Sequence, residues 1–306
     1  MQTILGAGGQ IGEELARELH RSHTRDIRLV SRHPHRIHEG DQVVAADLTD
    51  AEATAAAVEG SDIVYFTAGP PMDSHLWEER FPPMMANTIA ACQRHSCKLV
   101  FFDNTYMYPR TATPQTEETP FEPVGRKSTV RARMAEMLLT RMRAGTIEAA
   151  ICRAPEFYGP GKTQSLTNSA VFDRMWQGQR PIVPLSAHTR RTLIWTPDAS
   201  RAMALIGNTS DAFGQTWHLP CDTDRLTYEG MIEVASQVTG RRIPSVTVPG
   251  FAFRIGGLVN PALREVEELL PRYRCDNIFE STKFTTRLPE FRTTTYREGI
   301  SQLLAS

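Results

Sequence analysis

The chain has 306 residues, and 34 Lys and Arg against 35 Asp and Glu leave a formal net charge of −1. That length suits one large domain or two intimate ones, and the even balance supplies neither a basic field for nucleic acid nor a polybasic patch for a membrane. No apolar run reaches the roughly 18–20 residues of a spanning helix, and no charged-then-apolar leader precedes the first strand, so a cytoplasmic protein without nucleic-acid or membrane partners is expected.

The first predicted elements are strand, turn and helix. A short apolar run over 3–5 enters a glycine cluster, and an amphipathic stretch over 11–21 follows. Glycines let a backbone take positive φ and approach a pyrophosphate, which a helix N-terminus holds through free N–H groups and its partial positive charge. Gly6, Gly9 and Gly12 give a G-x-x-G-x-x-G spacing, because Ile11 stands at the last glycine position of the commoner G-x-G-x-x-G. This turn predicts dinucleotide binding by Gly6, Gly8, Gly9, Gln10, Ile11 and Gly12.

The second predicted strand, 27–31, ends on Ser31 and is followed by Arg32. An acid at this strand end usually bonds ribose hydroxyls and would repel a 2′-phosphate, whereas a hydroxyl and a guanidinium bind one. The expectation is therefore NADP, preferred over NAD; the alternative is that Arg32 is a solvated surface arginine. A third strand is predicted over 42–45 and an alanine-rich helix over 51–58. Between them Asp47 and Leu48 either close over the adenine, or Asp47 is the N-cap of that helix.

A buried strand over 63–66 stops at Gly69-Pro70-Pro71, and a helix over 84–95, a strand over 98–102, a helix over 128–143 and a strand over 148–152 follow. Repeated βα units of this length imply a parallel, doubly wound α/β sheet with right-handed crossovers. After Cys152 the loops lengthen and proline and glycine become frequent; a strand-helix pair is predicted over 193–205 and helices over 228–239 and 261–270. The expected organisation is a dinucleotide-binding domain over 1–155, with a return at about 190–220, and a smaller interleaved lobe over 156–189 and 221–306. Cysteines at 92, 97, 152, 221 and 275 are odd in number and lack metal-ligand spacing, so reduced thiols and no metal site are expected.

With these residues the chain resembles an extended short-chain dehydrogenase/reductase of the NAD-dependent epimerase/dehydratase type, over nearly its whole length. The markers are the glycine turn, Asp47-Leu48, Thr67-Ala68-Gly69, Asn87, the Arg153-to-Gly161 run, the Arg191-to-Asp198 run and the Phe213-to-Leu219 stretch with the helix at Tyr228. The resemblance implies a Rossmann-like fold and a cofactor lined also by Thr67, Ala68, Gly69, Ala154 and Pro155. It implies substrate contacts from Asn87, Glu156 and Arg191. It also implies a possible homodimer through a helix pair, for which the helices starting near 84 and 128 are candidates unless their apolar stripes face the sheet.

The family works with a serine or threonine and a tyrosine-lysine pair four residues apart, which places both on one helical face. Aligned on Gly125, Val124 replaces the tyrosine and Ser128 the lysine; aligned on Tyr108, Asn104 replaces the serine. Tyr158 and Lys162 have the right spacing, but Gly159, Pro160 and Gly161 between them exclude a regular helix. The remaining candidates are Asn104 as a hydrogen-bond donor to a carbonyl, Tyr106 as a phenol and Lys127 as an ammonium near the ribose. Against these stand loop-stabilising roles for Asn104 and Tyr106 and a surface position for Lys127.

In related sugar-nucleotide enzymes an arginine at the position of Arg191 binds a diphosphate, yet Glu156 stands where a neutral asparagine is usual and would repel it. Arg191 and Glu156 can instead pair with each other. Arg272, Tyr273 and Arg274 read as a solvated basic turn, with cleft closure as the alternative. Two functions follow: an NADP(H)-dependent oxidoreductase or epimerase acting on a small carbonyl or hydroxyl substrate, or a non-catalytic NADP(H) sensor of the NmrA type.

Overall fold

The computed structural model describes residues 1–161 and 165–305, so Lys162 lies outside the described residues. Its elements in chain order are β1 (Gln2–Leu5), α1 (Gln10–Ser22), β2 (Ile27–Ser31), β3 (Gln42–Ala45), α2 (Ala51–Val58), β4 (Ile63–Phe66), α3 (Ser74–His95), β5 (Lys98–Asp103), α4 (Arg126–Arg143) and β6 (Ala149–Arg153). There follow β7 (Glu156–Tyr158), α5 (Asp173–Trp176), β8 (Ile182–Pro184), β9 (Leu193–Trp195), α6 (Thr196–Gly207) and β10 (Gln215–His218). The last elements are α7 (Tyr228–Thr239), β11 (Val246–Val248), α8 (Gly250–Val259), α9 (Pro261–Glu267), α10 (Thr282–Arg287) and α11 (Tyr296–Ala305).

The chain divides into two compact units: the first comprises Met1–Met107, Pro123–Ala154 and Ala199–Leu219, the second Tyr108–Glu122, Pro155–Asp198 and Pro220–Ser306. The first unit is a seven-stranded sheet of order β10-β6-β5-β4-β1-β2-β3, parallel throughout. The inner strands β1, β4 and β6 are buried at every residue, as strands covered on both faces must be, so they read as apolar runs rather than alternations. Leu5 of β1 pairs with Val30 of β2 on one side and with Phe66 of β4 on the other. Strand order reverses there, which opens a crevice beyond the carboxyl ends of β1 and β4. The doubly wound α/β architecture read from the sequence is thus the observed one.

One element starts elsewhere than expected, and two alternatives left open by the sequence are decided by the structure. Helix α3 starts ten residues before the expected 84, in spite of Pro82 and Pro83. Asp73 caps it by accepting from His75 and Leu76 N–H groups, and Trp77, Phe81, Pro82, Met84 and Met85 are buried, so packing outweighs the missing donors. The α3 and α4 stripes expected as dimer candidates, including Met85, Ile89, Met134 and Leu138, lie in the core of the first unit. The N-cap of α2 is Asp50, which accepts from Ala53 N–H, and not Asp47.

In the second unit β7 pairs with β9 and β8 with β11, each in parallel. Its core gathers Tyr158, Phe172, Trp195, Tyr228 and Tyr296. Residues 108–122, expected in the first domain, belong here because Gln115 bridges to Phe279; its N–H donates to Ile278 and its carbonyl accepts from Glu280. Residues 190–198, expected in the return to the first domain, also belong here: Arg190 bridges to Thr227 and Arg191 to Asn277.

Candidate functional site

The glycine turn follows β1 directly. Gly6 has φ +97°, and a Cβ there would lie 2.4 Å from the backbone of Ala68, so the β1 and β4 ends close to a distance only glycine permits. Gly12, inside α1, would place a Cβ 2.8 Å from the Gly6 carbonyl oxygen, so it sets the contact of helix with turn. Gly8 and Gly9 are exposed and meet nothing closer than 3.6 Å, and Gly9 starts α1 with no side chain capping its first turn. The first turn of α1 thus has no side-chain cap for its N–H groups, while the Gly9 N–H itself donates to the Gly6 carbonyl at 3.2 Å. Gln10 and the buried Ile11 continue the first turn.

Ser31 ends β2 beside this turn, with its Oγ 3.7 Å from where a Gly8 Cβ would stand. Arg32 is exposed and engages no other described residue. Asp47 accepts from the Thr49 N–H at 3.0 Å and hydroxyl at 2.8 Å and pairs with Arg80 at 3.3 Å. The Thr49 N–H, helped by Arg80, holds its carboxyl below the usual range. Asn87, expected at the substrate, donates its amide to the Leu48 carbonyl at 3.0 Å and braces the Asp47-Leu48 loop. The Thr67 hydroxyl donates to the Leu5 carbonyl at 3.1 Å, Ala68 abuts Gly6, and Gly69 is exposed with open space around it. Ala154, whose N–H donates to the Asp103 carbonyl at 3.0 Å, and Pro155 are both buried.

The loop after β5 holds the catalytic candidates. Asn104 Oδ1 accepts from the Tyr106 N–H at 3.0 Å, while its amide nitrogen has no partner among the described residues. Tyr106 stacks on Trp77, ring centroids 6.1 Å apart. Lys127 is not on the surface: it is 0% exposed, in the first turn of α4, and its Nζ donates to Ser74 Oγ at 2.8 Å. Ser128, at the lysine position of the resemblance, is also fully buried, and its Oγ has no hydrogen-bond partner among the described residues. Val124 is 53% exposed and offers no proton.

Sequence reasoning missed the ionic group beneath this loop. Asp103 is buried and accepts from Arg131 at 2.6 Å and from Arg153 Nε at 3.1 Å, both guanidiniums being buried too. The three residues come from β5, α4 and β6, so no short-range spacing announces them; three charges at positions patterned as core were the available signal.

In the second unit Tyr158 is a buried core residue of β7 and not part of a helical pair. Arg191 is buried, with its guanidinium 3.6 Å from the Glu156 carboxylate, 4.4 Å from the centre of the Tyr273 ring and 2.6 Å from the Arg272 carbonyl oxygen. Burial opposes its charge, but Tyr228, Tyr273 and Glu156 outweigh that and keep its pKa above the usual value. Glu156 also accepts from the Thr167 N–H at 2.8 Å, and the Tyr273 hydroxyl lies 3.0 Å from both its oxygens. Arg272 and Tyr273 are therefore interior residues rather than a solvated turn; of the three only Arg274 is exposed. The partner Glu156 lies 117 positions from Tyr273, so local spacing did not separate the two cases.

A sequence model of the NAD dependent epimerase/dehydratase family matches residues 3–218. The uncharacterized protein y4nL of Sinorhizobium fredii is 26% identical over 233 residues, 73% of this chain; the chain spans 64% of the length of that relative. Among solved structures, UDP-glucuronic acid 4-epimerase from Bacillus cereus, in complex with NAD, superposes with a TM-score of 0.79 at 12% identity, covering 98% of this chain and 96% of that one. A dTDP-glucose 4,6-dehydratase from Streptomyces venezuelae, the DesIV double mutant with NAD bound, gives 0.79 at 15% identity over 100% and 96%.

Proposed function

The chain belongs to the NAD dependent epimerase/dehydratase family, and we propose that it binds NADP(H) and works as an oxidoreductase or epimerase on a small carbonyl or hydroxyl substrate. The observation that carries this reading is the glycine turn: the Gly6–Ala68 and Gly12–Gly6 approaches preserve a backbone cradle ahead of an uncapped helix. In it the Gly8 backbone and the first N–H groups of α1 hold the pyrophosphate, Gly9 lets it approach while its own N–H stays on the Gly6 carbonyl at 3.2 Å, and Ser31 with Arg32 takes the 2′-phosphate. A carboxylate is absent from that strand end, which favours NADP over NAD. When bound, the nicotinamide supplies or accepts a hydride at the carbon bearing the substrate oxygen.

The protein's own contribution is narrower than in most of this fold. The Asn104 amide, unpartnered at nitrogen, donates to the substrate oxygen and polarises it. Lys127, held by Ser74, supplies positive charge in the interior near the start of α4. Tyr106 is the phenol nearest in sequence to Asn104. The closed Glu156–Arg191–Tyr273 group argues against a diphosphate at Arg191, which supports a small substrate over a nucleotide sugar. One observation favours a second reading, a non-catalytic NADP(H) sensor: Val124 cannot exchange a proton.

Calorimetric titration with NADPH, NADP, NADH and NAD is the first test. Tight binding of the phosphorylated pair supports the cradle and Arg32, and turnover with a carbonyl panel, lost in Asn104→Ala and Lys127→Ala, supports the enzyme. A strong preference for one redox state with no turnover selects the sensor, and no binding of any of the four overturns both.

A further inference from the structure

We propose that residues 241–264, with α8 at their centre, dock on the anionic face of a phospholipid bilayer. Helix α8 is built inside out. Phe251, Ile255, Leu258 and Val259 recur at i, i+4, i+7 and i+8, one stripe of a helix, and they are 60%, 62%, 77% and 86% exposed. The opposite face, with Phe253 and Gly257, is buried. There a Cβ on Gly257 would stand 3.4 Å from the Arg264 backbone, so α9 packs closely and fixes which way the stripe points. The Arg264 Nε donates to the Gly257 carbonyl at 3.1 Å and ties the hairpin at its far end. An exposed apolar stripe on a seated helix marks an interaction surface.

Charge identifies the occupant. Residues 241–264 contain Arg241, Arg242, Arg254 and Arg264, all exposed, and no acid, although the whole chain is slightly acidic. Acids resume at Glu265, Glu267 and Glu268, which are half-buried on α9. Arg254 borders the stripe, three residues after Phe251 and four before Leu258, and an acid-free arginine segment around an apolar stripe complements anionic headgroups over acyl chains, the arginine stem lying along the apolar boundary with its head wet. A second copy of the chain is the weaker occupant: four side chains present roughly 500 Å², short of the about 800 Å² per partner of a standard interface. Among the described residues no helix is long and apolar enough to cross a membrane, so the contact is peripheral. Whole-chain charge balance, on which a membrane partner was not expected, averages this segment away.

The test is flotation of the full chain with vesicles of phosphatidylcholine alone or mixed with phosphatidylglycerol. Binding to the mixed vesicles, weakened by salt and much lower on neutral ones, is expected. Arg241→Gln with Arg242→Gln should lower partitioning about fivefold per arginine, and Leu258→Asp with Val259→Asp should abolish it. Both variants should keep the wild-type melting temperature and NADPH titration. Failure to float with the mixed vesicles overturns the proposal, as does flotation unchanged in both variants. A dimer in light scattering that the Leu258→Asp, Val259→Asp variant dissociates, with no vesicle binding by the wild type, would assign the stripe to a second copy instead.

Discussion

On the proposed NADP(H) reading, single residues set the cofactor preference. Arg32→Glu should weaken NADP(H) about ten- to hundredfold, the worth of a charge-assisted hydrogen bond, and leave NAD(H) nearly unchanged; calorimetry reads both. Gly6→Ala forces a side chain into positive φ and into Ala68, which should cost about 2–5 kcal/mol and remove dinucleotide binding together with stability. Asp103→Ala leaves the buried Arg131 and Arg153 guanidiniums without their carboxylate. A loss of about 3–5 kcal/mol in denaturant unfolding is expected, larger than for Asp103→Asn, which keeps an acceptor. Gly6 was legible in the sequence because its place in the turn and its positive φ are local, although its approach to Ala68 is not. The pairing of Asp103 with arginines 28 and 50 positions away was not, since only the sheet brings β5, α4 and β6 together.

At the scale of elements, the sequence conveys periodicity and breaks, and it errs where packing overrides them. The bounds of α2 and α7 follow from an alanine run and from Thr227 as N-cap, and both helices stand where they were expected. Helix α8 was not anticipated: an apolar segment holding two adjacent glycines reads as loop or strand, and nothing in the pattern tells that its apolar stripe faces out. The start of α4 carries a related lesson. Lys127, weighed from the sequence as a surface charge, is fully buried together with Ser128, which stands where the family resemblance implies the lysine. Exchanging them, Lys127→Ser with Ser128→Lys, and adding Val124→Tyr, should raise carbonyl turnover above the wild type if the cofactor reading holds. Steady-state assays with NADPH check this.

For the whole molecule, thiol chemistry reports integrity. Cys92, Cys97, Cys152 and Cys221 are buried, and burial pushes the Cys152 and Cys221 thiols upward, whereas Cys275 is only half-buried. One thiol should therefore react quickly with an aromatic disulfide reagent and four only on unfolding, and NADPH should slow the latter if it binds the folded state.

The interleaving of the two units bears on how the chain leaves the ribosome. Each unit is assembled from three separate segments, and β10, the edge strand beside β6, is encoded more than sixty residues after it. A nascent chain that has completed β6 must wait through the whole 155–198 segment of the other unit before that edge is covered. During this interval a buried-type apolar strand with unpaired backbone groups stays open to other chains, so synthesis at high expression should favour inclusion bodies, and slower translation or lower temperature should relieve them.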